Sequence, residues 1–170
     1  LEASFRTFEK AEPDLGYGNL RDKVLEAAGK NAVTPLLVRK CVIETRESKL
    51  PNLAEWGCAG SFFKNPVISK EKFAKLANVI ENEALILRKD IPHYDLGDGV
   101  KVPAAYLIEQ SGLKGTSVGA AFLWSKQPLV LTVDPLKSPK AEDVIRLDAL
   151  VRETVRQKFN INLEKEVIYL

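Results

Sequence analysis

The chain has 170 residues, 45% of them hydrophobic, with 25 Lys and Arg against 23 Asp and Glu. That is apolar material for one good core or two small ones and excludes a disordered chain. The net charge of only +2 excludes nucleic-acid binding by counterion release alone, so any anion must be held locally.

Two cysteines, Cys41 and Cys58, and the single histidine His93 can build neither a disulfide framework nor a four-ligand zinc site. Reduced thiols and no metal are expected. No apolar run approaches the roughly 18–20 residues of a membrane span, and residues 1–10 lack both the basic and the apolar parts of a signal peptide. The reading is a cytoplasmic protein with no membrane partner. The chain begins at Leu1 and contains no Met, from which a missing N-terminal portion is expected.

Residues 4–8 alternate polar and apolar side chains, as a short strand does, and residues 13–19 form a turn-rich connector. Leu20–Ala28 reads as a short helix stopped by Gly29. Thr34-Pro35 starts the next, with a hydroxyl to cap and a proline at the first helical position. This helix runs to about Lys49, with Leu37, Cys41 and Ile43 towards the core and Arg39, Lys40 and Arg46 outward. Leu50-Pro51-Asn52 breaks it, because the residue before proline is pushed out of the α region. A domain boundary is expected here, with residues 1–50 on one side, 51–162 on the other and 163–170 as a terminal strand.

The run Gly57-Cys58-Ala59-Gly60-Ser61-Phe62-Phe63-Lys64-Asn65-Pro66 reads as one constrained loop. Ser69 caps a helix whose Phe73, Leu76, Ala77 and Ile80 share one face. An extended segment at 84–87 leads to His93-Tyr94, and Asp98-Gly99 marks a hairpin turn. Pro103 opens a short helix over 104–111, closed by Gly112. Strands at 120–124 and 129–133, joined by Ser125-Lys126-Gln127-Pro128, should pair antiparallel. Ser138-Pro139 starts a long helix with Val144, Leu147, Val151 and Val155 inward, ending near Phe159-Asn160. Helices and strands interleave without regular βαβ alternation, so the fold class is α+β, a small mixed or antiparallel sheet with packed helices.

Gly57 and Gly60 allow close approach of backbone to a ligand, and Ser61 adds a hydroxyl beside possible N–H donors. A packed interdomain turn explains the same residues. A serine hydrolase does not fit, because His93 is the only histidine and no nucleophile-elbow pattern surrounds Ser61. Leu113-Lys114-Gly115 and Gly119 could reach a diphosphate, although the spacing of a P-loop or a dinucleotide fold is absent. Lys49, Lys64 and Lys114 read equally well as solvated charge, and Tyr94 and Gln127 as ordinary loop residues. Strand alternation puts Glu164 and Glu166 on one face and Lys165 on the other, which suits either a cleft carboxylate or a charged edge strand.

Taken together, these segments resemble one family. Gly60-Ser61-Phe62-Phe63-Lys64-Asn65-Pro66 resembles the signature loop of UDP-N-acetylenolpyruvoylglucosamine reductases. Ala104-Ala105-Tyr106-Leu107-Ile108-Glu109-Gln110, Leu113-Lys114-Gly115, Gly119-Ala120-Ala121 and Leu163-Glu164-Lys165-Glu166-Val167 follow in family order. Tyr17-Gly18-Asn19-Leu20 and Arg46-Glu47-Ser48-Lys49-Leu50-Pro51 extend the likeness upstream over nearly the whole chain. The Tyr94 loop resembles the branch in which that loop folds over substrate. Cys58 stands where asparagine is common, and Lys165 where proline is.

The resemblance implies an enzyme in which NADPH reduces bound FAD and the flavin passes hydride to UDP-N-acetylglucosamine enolpyruvate, making UDP-N-acetylmuramate for peptidoglycan. It implies Ser61 as proton donor and Glu166 as the acid that stabilises or relays protons to the intermediate. Lys49, Asn65, Tyr94, Lys114 and Gln127 become substrate contacts. It also implies that a catalytic arginine and the main FAD-binding residues lie upstream. Residues 1–50 would then be the remnant of a flavin-binding domain, and the chain alone inactive. A stand-alone UDP-sugar-binding module and a purely structural α+β interaction domain are the rival readings.

Overall fold

The computed structural model describes residues 2–4, 6, 12–84 and 91–169. The strand expected at 4–8 and the extended segment expected at 84–87 fall mostly outside the described residues. The chain divides into two compact units, 1–49 and 50–170.

In the first unit, α1 (Leu20–Ala28) ends where Gly29 takes φ +57° and donates its N–H to the Leu25 carbonyl at 3.0 Å. Helix α2 (Pro35–Lys49) begins where the Thr34 hydroxyl accepts the Leu37 N–H at 3.2 Å, as the cap-then-proline pattern requires. The helices pack through Val24, Ala28 and Cys41, and Lys23 Nζ donates to Thr45 Oγ1 at 3.1 Å. Of the residues expected in the core, only Cys41 is fully buried; Leu37 and Ile43 are half-buried. A two-helix hairpin offers each helix a single covering face.

The second unit carries α3 (Lys70–Ala84), α4 (Ala104–Gln110), α5 (Ala141–Phe159) and two antiparallel sheets. The larger comprises β1 (Gly57–Ser61), β5 (Ser117–Val118), β6 (Ala121–Leu123) and β7 (Val130–Val133) in the order β1-β7-β6-β5. The smaller comprises β2 (Val67–Ile68), β3 (Tyr94–Asp95) and β4 (Val100–Lys101) in the order β2-β4-β3. This is an α+β fold. Phe73, Leu76, Ala77 and Ile80 of α3 are buried, as their spacing predicts, and so are Leu147, Val151 and Val155 of α5. They share one core with Leu107 and Ile108 of α4 and with Ala121, Leu123 and Leu131 of the large sheet. Alternation turns Phe122 and Trp124 to the opposite face, where they stack with Trp56 at centroid separations of 5.3 and 6.1 Å.

Four expectations are corrected. The glycine-serine loop is largely the strand β1, since pairing with β7 uses backbone alone and needs no β-favouring side chains. Strand β5 lies where only a loop was expected, because two residues between turn glycines are too few to display a period. Helix α5 starts at Ala141, not at Ser138-Pro139. Ser138 takes left-handed angles (φ 50°, ψ 61°) that end a 3-10 turn over Pro135–Lys137, so it cannot adopt the extended conformation of an N-cap. The terminal strand at 163–170 reduces to one bridge, Phe63 opposite Lys165, after which the backbone bends away.

Asp143 fastens α5 to the sheet. Its carboxylate accepts the Ala120 N–H at 3.2 Å and the Lys140 N–H at 3.4 Å, and Arg146 donates to it at 2.9 Å. The Ala120 N–H, and after it Arg146, hold this carboxyl below its ordinary value. Gly119 passes so close to Asp143, at φ +59°, that a Cβ would overlap the carboxylate.

Candidate active site

Ser61 is the last residue of β1 and follows a bulge. Cys58 faces Thr132 and Ser61 faces Val130, so three steps on β1 match two on β7. Gly60 absorbs the extra residue at φ +84°, and its N–H donates to Cys58 Sγ at 3.1 Å. The strand is then locked: Phe62 N–H donates to the Leu129 carbonyl at 2.9 Å, and Phe62 and Phe63 are both buried. Ser61 itself is exposed, and its hydroxyl has no hydrogen-bond partner among the described residues. A free hydroxyl on a rigid, re-aimed strand end is available to a ligand.

The sheet register gathers other expected residues to the same end. Gln127, half-buried, sits in the β6–β7 turn, where its N–H donates to the Trp124 carbonyl at 3.1 Å and its carbonyl accepts the Val130 N–H at 2.9 Å. Val130 is the residue opposite Ser61. Lys114 lies two residues before Thr116, whose carbonyl accepts the Leu123 N–H at 2.9 Å at that end of β6. Glu166 arrives by the chain terminus: its N–H donates to the Phe62 carbonyl at 2.9 Å, while Lys64 N–H donates to the Glu164 carbonyl at 2.8 Å. Ser61 and Glu166 are thus on adjoining backbone, both exposed, with no hydrogen bond joining their side chains.

Lys114 Nζ is 2.7 Å from Glu109 Oε1, with both side chains about half exposed at 47%. An exposed pair of this kind is worth roughly 0–1 kcal/mol, so Glu109 holds Lys114 only weakly. One turn before Glu109, burial and then the Glu109 charge push the Tyr106 phenol above its ordinary value. Asn65 has a structural duty not foreseen from sequence. Its Oδ1 accepts the Ala104 N–H at 2.9 Å, capping α4 from 39 residues away and leaving Nδ2 as a donor.

Tyr94 is 63% exposed and opposes Lys101, whose other neighbour is Val67. That row adds a cation sequence reasoning missed. Lys101 is half-buried and without an ion-pair partner among the described residues. The available signal was its place after Val100 in the hairpin, which puts it on the face of Tyr94. Lys49 is the one expected contact carried by the first unit, exposed at the end of α2. No helix among the described residues is long and apolar enough to cross a membrane.

Residues 52–170 match the family described as UDP-N-acetylenolpyruvoylglucosamine reductase, C-terminal domain. The chain belongs to this reductase family. Relatives named UDP-N-acetylenolpyruvoylglucosamine reductase include that of Chromobacterium violaceum, 40% identical over 167 residues, covering 98% of this chain and 46% of the relative. That of Bacteroides fragilis is 37% identical over 168 residues, covering 98% of this chain and 47% of the relative. That of Neisseria meningitidis serogroup C is 40% identical over 159 residues, covering 93% and 43%. The chain therefore spans about half the length of the reductases it matches.

Proposed function

We propose that this chain supplies the substrate-binding and protonating side of an FAD- and NADPH-dependent reductase. The reductase converts UDP-N-acetylglucosamine enolpyruvate to UDP-N-acetylmuramate in peptidoglycan synthesis, in the cytoplasm. What carries the reading is the convergence of Ser61, the Gln127 turn, the Lys114 loop and the Glu166 backbone on one end of a sheet. In this reading residues 1–50 are the remnant of a flavin-binding domain, 51–162 the substrate domain and 163–170 the segment returning towards the flavin side.

Two clefts among the described residues do not suit a flavin. One cleft is lined by Lys23, Glu26, Ala27, Cys41, Glu44, Thr45 and Ser48, and another by Ala149, Arg152, Glu153, Arg156 and Asn162. Three charged side chains edge each of them (Lys23, Glu26 and Glu44; Arg152, Glu153 and Arg156), whereas an isoalloxazine ring needs a largely apolar slot. The redox side belongs to the other half of the enzyme. Reduction of an enolpyruvyl double bond also requires a proton, and that is what this chain contributes. A serine hydroxyl is too weak an acid for most acceptors, but a carbanion-like carbon is basic enough to take its proton. Such positioned acid catalysis is worth about 10²–10⁴-fold. Glu166 stabilises the same intermediate or relays the replacement proton. Lys114 and Tyr94 suit a diphosphate, and Asn65 and Gln127 suit uridine or sugar, while Lys49 enters as a substrate contact on the family likeness alone.

The test uses a reductase in which this chain replaces the matching part of the Chromobacterium violaceum relative. Ser61→Ala should slow oxidation of the reduced flavin by substrate about 100-fold or more, with substrate affinity little changed. Loss of affinity with chemistry intact would make Ser61 a binding residue instead. The isolated chain should show no NADPH-dependent turnover and retain at best weak affinity for the UDP-sugar; turnover by this chain alone defeats the reading.

A further inference from the structure

The segment that carries Glu166 is held on its far side by a cluster that the reaction does not call for. Asp148, on α5, is only 4% exposed. Its Oδ2 lies 3.7 Å from Lys165 Nζ and accepts the Tyr169 hydroxyl at 3.0 Å. Lys165 Nζ also stands 3.6 Å from the centre of the Tyr169 ring. One helical turn on, Arg152 Nε donates to the Leu163 carbonyl at 3.1 Å. Two residues of α5 thus hold positions 163, 165 and 169, on both sides of Glu166. Among the described residues the cation within ion-pair distance of Asp148 is Lys165, from the terminal segment, and the charge of Arg152 on α5 also reaches the cluster at Tyr169. Asp148 Oδ1 is buried without any hydrogen-bond partner among the described residues.

The order Glu164-Lys165-Glu166 explains why this arrangement specifies a register. Lys165 opposes Phe63 and reaches Asp148, while Glu164, one residue earlier, lies 3.6 Å from Lys64 instead. A slip of one residue would bring a glutamate to the Lys165 position, against the buried carboxylate of Asp148, and would turn Lys165 away from it. Attraction in one register and repulsion in its neighbours select the same alignment. Resting on the functional reading above, we infer that Asp148 is a positioning residue: by gathering Lys165 and Tyr169 it fixes the alignment in which the Glu166 N–H is bonded to the Phe62 carbonyl, beside Ser61.

The clamp is read in this chain by amide hydrogen exchange at Glu166 and Lys64, the two amides of the bridge. Asp148→Asn and Lys165→Glu should each speed exchange there about 10- to 100-fold, while Val151 in the middle of α5 keeps its protection. Lys165→Arg, which retains the charge, should preserve it. Because Lys165 is partly exposed, its variants test the clamp even if Asp148→Asn fails to fold. Unchanged exchange at Glu166 in Lys165→Glu overturns the inference. In the chimeric reductase, Asp148→Asn should lower kcat about tenfold with KM within about twofold, in parallel with Glu166→Gln. Normal kcat in Asp148→Asn beside a slow Glu166→Gln also overturns it. If Glu166→Gln itself turns over normally, the role given to Glu166 has failed, and the exchange measurements alone decide for or against the clamp.

Discussion

Gly119→Ala separates two costs that glycine substitutions usually mix. Gly119 and Gly112 both have positive φ, +59° and +73°, so an alanine at either place incurs the left-handed penalty of roughly 1–2 kcal/mol. At Gly112 a Cβ meets nothing within 4 Å; at Gly119 it overlaps the Asp143 carboxylate. Asp143 must then swing away and release the Ala120 N–H it accepts at 3.2 Å. A buried donor left without a partner costs about 1–3 kcal/mol more. Gly119→Ala should therefore destabilise by about 2–5 kcal/mol and Gly112→Ala by about 1–2. Urea unfolding followed by tryptophan fluorescence reads the second unit, since Trp56 and Trp124 both belong to it. In an Asp143→Ala background the excess at Gly119 should shrink, because its cause has been removed. Equal losses for the two glycine variants would refute the reasoning.

Lys114→Ala in the chimeric reductase should raise KM about tenfold with kcat nearly unchanged, as removal of a diphosphate contact does. Asn65→Ala should lose the α4 cap, a loss of about 0.5–2 kcal/mol, as well as substrate affinity. Asn65→Asp keeps the acceptor for Ala104 and removes the amide donor, so stability should persist while affinity falls; a calorimetric melt beside a binding titration checks both. Burial, and then the hydrogen bond to Asp148, push the Tyr169 phenol up to about 12. A raised value favours the protonated form, so this contribution to stability is intact below pH 10 and is lost as pH rises towards 12. The ultraviolet difference between the chain and Tyr169→Phe should show that phenol titrating near 12 rather than near its ordinary 10.0.

Local chemistry made the helices legible. Thr34-Pro35, Ser69 and Gly29 act within one turn of themselves, and a 3.6-residue apolar period needs only its own helix to be visible. The start of α5 escaped because Ser138 carries the residue type of a cap but not its backbone angles. Strand β1 escaped for a different reason. Its composition is that of a loop, and its conformation comes from β7, about 70 residues downstream, whose own pattern was plain. The terminal segment misled in the opposite direction: alternation was visible, but no ladder follows the bridge among the described residues, and Tyr169 is bonded to Asp148 of α5 instead.

The candidate site has the same division in sharper form. Ser61, Lys114 and Gln127 lie on three separate segments, and no periodicity or spacing connects them. What joins them is register: the bulge at Gly60 decides which residue of β1 faces Val130, and the turn around Gln127 decides where β7 begins. Register depends on pairing across the sheet, so pattern reasoning weighed Ser61 and Lys114 each against a structural alternative, found Gln127 ordinary, and left it to the likeness to a family to connect them. Glu166 is the exception. The alternating charges of Glu164-Lys165-Glu166 do carry readable information about alignment, but its reader is the buried Asp148, whose place opposite them appears only in the folded chain.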